Sequence, residues 1–153
     1  MRYRIILSFA IGSLIFGTFG CNFGHKVTLS QVSEPARATI EKLTAGGEIK
    51  KIEKETSNGK TIYDIEARVK GKDVEYDIAE DGEILTSEES IPYDSLPDAV
   101  KQTAEKYFGF TEGLNASKEI EEGQTYYEVE GKKSGKPISL KLDQSGRILE
   151  EEK

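Results

Sequence analysis

Apolar residues recur along this chain at two periods, and the pair of periods occurs twice. Val32, Ala36, Ile40 and Leu43 lie three or four positions apart, with Glu34, Arg37, Glu41 and Lys42 between them. That spacing puts the apolar set on one face of an α-helix. Ser33 suits the N-cap, Pro35 the first turn, and Gly46-Gly47 the stop. From Glu48 the period falls to two. Glu48–Glu55 reads as a first strand, in which Ile49 and Ile52 have opposite parity and call for a bulge or a late start. Ser57-Asn58-Gly59 is a hairpin turn, because Asn-Gly supplies the positive φ angles of a primed turn. On the next strand Tyr63, Ile65, Ala67 and Val69 face the helix, and Ile62, Asp64, Glu66 and Arg68 face away. After a turn at Gly71, Val74, Tyr76 and Ile78 continue the inner face. Glu80-Asp81-Gly82 then turns into a short strand, Glu83–Thr86.

The same pattern returns 64 positions later, without a gap from Val32/Leu96 to Glu88/Glu152. Identities include Gly59/Gly123, Thr61/Thr125, Tyr63/Tyr127, Gly71/Gly135, Gly82/Gly146 and Leu85/Leu149, so the sequence predicts one duplicated unit. Ile91–Ser95 is the linker. Ala99, Val100, Thr103, Ala104, Tyr107 and Phe108 make the second helix stripe, bounded by Pro97 and Gly109. Thr111–Ile120 aligns with the first strand. Tyr127 and Val129, then Ile138, Leu140 and Leu142, then Ile148 and Leu149 are expected to rebuild the inner face, with Pro137 at a strand start or on an edge. The predicted fold class is α+β: two tandem repeats, 32–90 and 91–153, each one helix packed on an antiparallel β-meander of about four strands. A unit of about 60 residues buries only about 60% of its unfolded surface, so the two should support each other. The pattern leaves open whether their sheets join edge to edge.

The first 20 residues follow neither period. Met1-Arg2-Tyr3-Arg4 is basic, Ile5 to Gly20 carries no charge, and Cys21 follows, which is the layout of a signal peptide over residues 1–20. Thr18-Phe19-Gly20-Cys21 resembles the lipobox of bacterial lipoproteins, in which the cysteine becomes the lipidated N-terminus. Gly20 fits that pattern, whereas Thr18 and Phe19 depart from it. The alternatives are an ordinary signal or an uncleaved anchor with an incidental cysteine. On the lipoprotein reading, residues 21–31 are a tether that includes His25, to which no role is assigned, and the address is the bacterial cell envelope.

Composition then removes several chemistries. One Cys and one His provide no internal disulfide, no cluster of soft metal ligands and no Ser-His or Cys-His nucleophile pair. Carboxylates abound, but without Trp no apolar cleft is marked out to tune a catalytic pair. A net charge of −7 disfavours nucleic acid. Asp81 and Asp143 lie in turn sequences that lack the ligand spacing of an EF-hand, and no phosphate loop is present. A non-enzymatic protein without cofactor or metal is expected.

Leu96-Pro97-Asp98-Ala99-Val100, Tyr107-Phe108-Gly109, the Gly-x-Thr-x-Tyr-x-Val-Glu run from Gly123 and the closing Asp143-x-x-Gly146-x-Ile148-Leu149 resemble the PepSY-like family of β-lactamase-inhibitor-like proteins. The resemblance covers about residues 30–153. Val32-Ser33-Glu34-Pro35-Ala36 departs from the family's helix start. The resemblance implies small exported or lipid-anchored bacterial proteins with a helix on an antiparallel sheet. It further implies a function by binding proteins or peptides, including inhibition of a hydrolase of the protease or β-lactamase type.

The strand face turned away from the helix is the remaining candidate. Its order is the same in both units: Ile62 or Tyr126, Asp64 or Glu128, Glu66 or Glu130, Arg68 or Lys132. An apolar residue, two acids and a base suit an envelope protein or peptide as partner. The alternatives are cross-strand salt bridges on a solvated surface, or a periplasmic ligand sensor that binds calcium weakly.

Overall fold

The structure is a computed structural model that describes residues 24–57 and 59–153; the predicted signal segment, Cys21 and Asn58 lie outside the described residues. Strand β1 (His25–Lys26) is followed by helix α1 (Glu34–Leu43) and strands β2 (Glu48–Ser57), β3 (Lys60–Val69), β4 (Lys72–Ala79) and β5 (Ile84–Ile91). Helix α2 (Asp98–Phe108) then precedes β6 (Asn115–Glu121), β7 (Gln124–Lys133), β8 (Lys136–Asp143) and β9 (Ile148–Glu152). The fold is α+β, with two helices and one nine-stranded antiparallel sheet whose spatial order is its chain order.

Tight turns impose that meander. Lys70-Gly71, Glu122-Gly123 and Ser134-Gly135 each have positive φ at both residues, the primed geometry that matches strand twist. Between β5 and β6 the chain detours through α2, yet Thr86–Ile91 pairs with Ala116–Glu121 and closes the sheet edge to edge. This pairing carries β5 beyond the predicted end at Thr86 and into the predicted linker, since β6 supplies its second ladder. The expected bulge in β2 is the register shift between Ile49 and Lys51.

Both helices lie on one face of the sheet. Val32, Ala36 and Ile40 pack with Ile52, Tyr63, Ile65, Ala67, Val74 and Ile78; Leu96, Val100, Ala104 and Phe108 pack with Leu114, Ala116, Val129, Ile138, Leu140 and Leu142. The β5–β6 register continues the parity from one cluster into the other, with Ile91 opposite Ala116. Each helix is held to a turn of the sheet, α1 to the one between β4 and β5 and α2 to the one between β8 and β9. Thr39 Oγ1 donates to the Gly82 carbonyl at 3.0 Å, and Thr103 Oγ1 to the Gly146 carbonyl at 2.8 Å. A Cβ on Gly82 would lie 2.9 Å from the Pro35 carbonyl oxygen, and one on Gly146 would lie 2.4 Å from that of Ala99. The glycines permit the close helix approach.

Three expectations are corrected. His25–Lys26, assigned to the tether, pairs with Glu53 and Lys54 as an outer strand, and Val27 and Leu29 pack against the first core. Strand β6 begins at Asn115 and not at Thr111. Ile148 and Leu149 do not rebuild the inner face: they are 38% and 41% exposed, because β9 is the sheet edge and α2 lies over β7 and β8. Pro137 is the second residue of β8, before the segment Ser139–Leu142 to which β9 pairs, so no ladder bond is lost on that side.

Candidate binding face

On the sheet face opposite the helices, the register lines acids up across strands. One row runs Lys51, Glu66, Glu75, Glu88, Glu119, Tyr126, Asp143, and the neighbouring row runs Glu53, Asp64, Asp77, Thr86, Glu121, Gln124. Neighbouring strands lie about 4.8 Å apart, and like charges directly opposite one another destabilise a sheet. No element covers this face among the described residues, yet Asp64, Ser117, Glu119 and Lys141 are buried. Their shielding comes from neighbouring side chains, as it does where a twisted sheet curls toward one side. A separate depression of about 1200 Å³ is lined in part by Asp73, Glu75, Glu88, Ser117, Glu130 and Ser139 of this face, together with Val74, Leu114, Ala116 and Ile138 of the two cores and with Tyr93 and Phe110.

Two lysines flank the acidic centre. Lys51 Nζ lies 2.5 Å from Glu66, 3.3 Å from Glu53 and 3.8 Å from Asp64. Lys141 Nζ lies 2.8 Å from Glu119 and 2.9 Å from Glu121, and 4.7 Å from the centre of the Tyr126 ring. Burial works against the charge of both lysines, but the bonds to Glu66, and to Glu119 and Glu121, raise their pKa overall. Outside this centre Arg68 grips Asp73 through two bonds of 2.9 and 3.1 Å, and Lys50 also pairs with Asp73, whose pKa falls to about 2.

The carboxylates between the lysines behave oppositely. Burial, and then the carboxylates of Asp64, Glu55, Glu119 and Glu75, push Asp77 up to about 7. Asp64 rises to about 6 through burial and the acids Glu66, Glu53 and Glu55, against the pull of Lys51. Glu128 rises to about 7 through burial and Glu130, Glu119 and Glu152, although the Ser139 hydroxyl donates to it.

The sequence-predicted residues all lie on this face but do not form one compact site. Ile62, Asp64, Glu66 and Arg68 are on β3, while Tyr126, Glu128, Glu130 and Lys132 are on β7, separated by β4, β5 and β6. Ile62 and Tyr126 are half-buried; Arg68 and Lys132 are exposed at one end. The expectation of a solvated surface is corrected at Asp64, which is 7% exposed. Expected salt bridges do form at the flanks, as Lys51–Glu66 and Arg68–Asp73 show, but like charges meet in the centre. Asp77, Glu75, Glu88, Glu119 and Lys141 join the two quartets and are not among the sequence-predicted residues. The signal was available: a two-residue turn at Lys70-Gly71 pairs Asp64 with Asp77.

The Asp81 and Asp143 turns are closed by their own hydrogen bonds. Asp81 Oδ1 accepts from the Glu83 amide at 3.1 Å, and Asp143 Oδ1 from the Ser145 and Arg147 amides at 2.9 and 3.1 Å. Among the described residues no group of three or more His, Cys, Asp or Glu is arranged to hold a metal ion, and no helix is long and apolar enough to cross a membrane.

No family model and no curated protein matches the sequence. Solved structures do resemble it. A predicted periplasmic protein of Bacteroides eggerthii DSM 20697 is 15% identical with a TM-score of 0.60, covering 79% of this chain and 88% of the other. A BLIP-like protein of Bacteroides fragilis NCTC 9343 is 19% identical with a TM-score of 0.55, covering 79% and 85%. A DUF2874 family protein of Bacteroides uniformis ATCC 8492 is 13% identical with a TM-score of 0.56, covering 79% and 88%. At these identities the likeness is one of fold: the chain has the architecture of these Bacteroides proteins, two helices against one face of a continuous antiparallel sheet.

Proposed function

We propose that this chain is a non-enzymatic binding module of the bacterial cell envelope that engages a protein or peptide on the open face of its sheet. Two helix-on-meander units, 32–90 and 91–153, share that sheet, and a lipid on Cys21 holds the module at the membrane. The observation that carries the reading is the set of shielded carboxylates, Asp64, Asp77 and Glu128, on a face that no element covers among the described residues. Buried charge is costly without a partner, so a folded chain that keeps it on an open face has a use for it there. Tyr126 on the same face and Phe110, 44% exposed in the lining of the depression, supply apolar anchors of the kind that dominate interface energetics.

The basic leader before Cys21 and the fold shared with a predicted periplasmic protein support export. The fold shared with a BLIP-like protein, together with the PepSY-like motifs, supports a hydrolase as the partner that is bound and inhibited. Crosslinking in intact cells of the native host, followed by capture of the full chain, tests this reading. Tyr126→Ala and Glu128→Lys should lose the partner that the wild type recovers, and recovery at equal strength would show that the open face is not the interface. Incorporation of a fatty-acid analogue into the wild type and not into Cys21→Ser would establish the anchor.

A further inference from the structure

The repeat is longer in the structure than in the sequence. A 3₁₀-helix at Leu29–Gln31 recurs 64 positions on at Tyr93–Ser95, and β3 and β4 recur residue for residue as β7 and β8. The β1–β2 pairing, His25 opposite Lys54 and Lys26 opposite Glu53, recurs as Glu89 opposite Lys118 and Ser90 opposite Ser117. Val27 and Leu29 pack on the first core just as Ile91 and Tyr93 pack on the second. The structural unit therefore starts at His25 and again at Glu89, inside β5. Ile84–Glu88 corresponds to β9, and Glu89–Ser90 corresponds to β1, so one continuous strand serves two units.

Across that boundary the units meet through backbone and polar groups. Thr86, Ser87 and Glu88 pair with Glu121, Ile120 and Glu119 on one side of β5, and Val74 pairs with Glu89 on the other. The Asp73 amide donates to Ser90 Oγ at 3.2 Å, and the Lys72–Glu89 ion pair joins side chains too exposed to contribute much. Among the described residues the two buried cores share no member. Ile120 lies in the cross-strand row of Ile52 and Ile65, which are buried in the first core, yet it is 41% exposed, so neither helix covers the joint. The depression spans the same boundary, with Val74 and Glu88 from the first unit and Leu114 and Ile138 from the second. We infer that β5 is a hinge between two separately cored units, and that the twist at the joint sets the width of the open face and of the depression. A ladder twists at low cost where no side-chain layer is shared across it, whereas each unit is held by its own core. The Ile62 quartet moves with the first unit and the Tyr126 quartet with the second. Resting on the binding-face reading above, the spacing of the two quartets therefore adjusts to the partner.

The test uses the described chain from Gly24 to Lys153 and two NMR measurements. Amide hydrogen exchange is compared between the wild type, Ile65→Val in the first core and Val129→Ala in the second, both at fully buried residues. Ile65→Val should speed exchange in β3 and β4 by about fivefold and leave β7 and β8 within about twofold, and Val129→Ala should do the reverse. Equal acceleration in both units by either variant would make the chain one cooperative block and overturn the hinge. Residual dipolar couplings of the wild type need no variant: the two units should require different alignment tensors, and one tensor that fits both would also overturn the hinge. Oxidation of the Ser87→Cys/Ile120→Cys pair across the joint should merge the two tensors, and reduction should separate them again. Neither measurement involves a partner, so a failed hinge leaves the binding-face reading standing. Conversely, capture of a partner that ignores Tyr126→Ala and Glu128→Lys would remove the use proposed for the hinge while the exchange and coupling data still established it.

Discussion

Asp64 and Asp77 face each other directly across β3 and β4, a like-charge pair at the register where β7 and β8 set Glu128 opposite Lys141. The groups around the aspartate pair are Lys51, Glu53 and Glu55 on β2, Glu66 on β3, Glu75 on β4, Thr86 and Glu88 on β5, and Glu119 and Glu121 on β6. The pair should make stability depend on pH. Both groups rise from an ordinary 3.8, Asp64 to about 6 and Asp77 to about 7, and Glu128 rises from 4.5 to about 7. The folded chain therefore holds protons that the unfolded chain has released, and the associated stabilisation is complete below pH 4 and is lost as pH rises through 6 and 7. Asp73, lowered to about 2, acts in the opposite sense and costs stability below pH 4. The melting temperature should peak near pH 4 to 5 and fall toward pH 8; a profile that is flat or rises from pH 5 to 8 would refute these protonation states.

Lys141 should be the most sensitive charge on the sheet. Its side chain is buried, and it holds two carboxylates, Glu119 and Glu121. Lys141→Met keeps most of the volume but strands those carboxylates, a loss of about 3 to 5 kcal/mol for a buried pair broken on one side. Lys51→Met, at a position with 17% of its side chain exposed, should cost less. Urea unfolding of both variants at pH 8 measures the difference.

The meander order within β2–β5 and within β6–β9, both helices, the inner-face residues of β3, β4, β7 and β8 and the bulge in β2 are legible in the sequence because each follows from local period or turn chemistry. What is not legible follows from long-range pairing. Thr86–Ile91 reads as strand end and linker because its reason for being extended lies in Ala116–Glu121, thirty positions away. His25–Lys26 reads as tether because a two-residue strand carries no period of its own. The candidate face is legible and its content is not: alternation puts Asp64 and Glu128 on the sheet face away from the helices, but the charge around them depends on which residues of β4, β6 and β8 stand beside them. Lys141 in place of Asp77 breaks the duplicated pattern, and that break was the signal passed over.

Helix docking over the Gly82 and Gly146 turns gives a test of the close approach. Gly146→Ala forces a methyl to within 2.4 Å of the Ala99 carbonyl, at a residue with φ of 80°, and should destabilise by about 1 to 3 kcal/mol. Gly82→Ala, with 2.9 Å to the Pro35 carbonyl, should behave alike. Gly123→Ala has positive φ but open space around it, so its loss should stay near about 1 kcal/mol. Thermal melts of the three variants rank them, and equal losses would show that backbone conformation alone sets the requirement for glycine.

Gly131 should be coupled to Phe108 and Leu114. A Cβ at Gly131 would lie 2.4 Å from Leu114 Cδ2 and 3.0 Å from Phe108 Cε1, so the large side chains of the second core occupy the space above this strand position. Sixty-four positions earlier the sequence holds Ala67, Thr44 and Lys50: a methyl is present on the strand where the two other positions carry smaller or polar residues. Gly131→Ala should therefore cost about 1 to 3 kcal/mol by overpacking. Leu114→Ala alone should cost about 2 to 5 kcal/mol by leaving a cavity at a residue 8% exposed. The double variant should lose less than the sum, by about 0.5 to 3 kcal/mol, because the added methyl enters the space vacated by Leu114. Equilibrium urea denaturation of the four proteins closes the cycle, and additive losses would show that the two positions do not share that space.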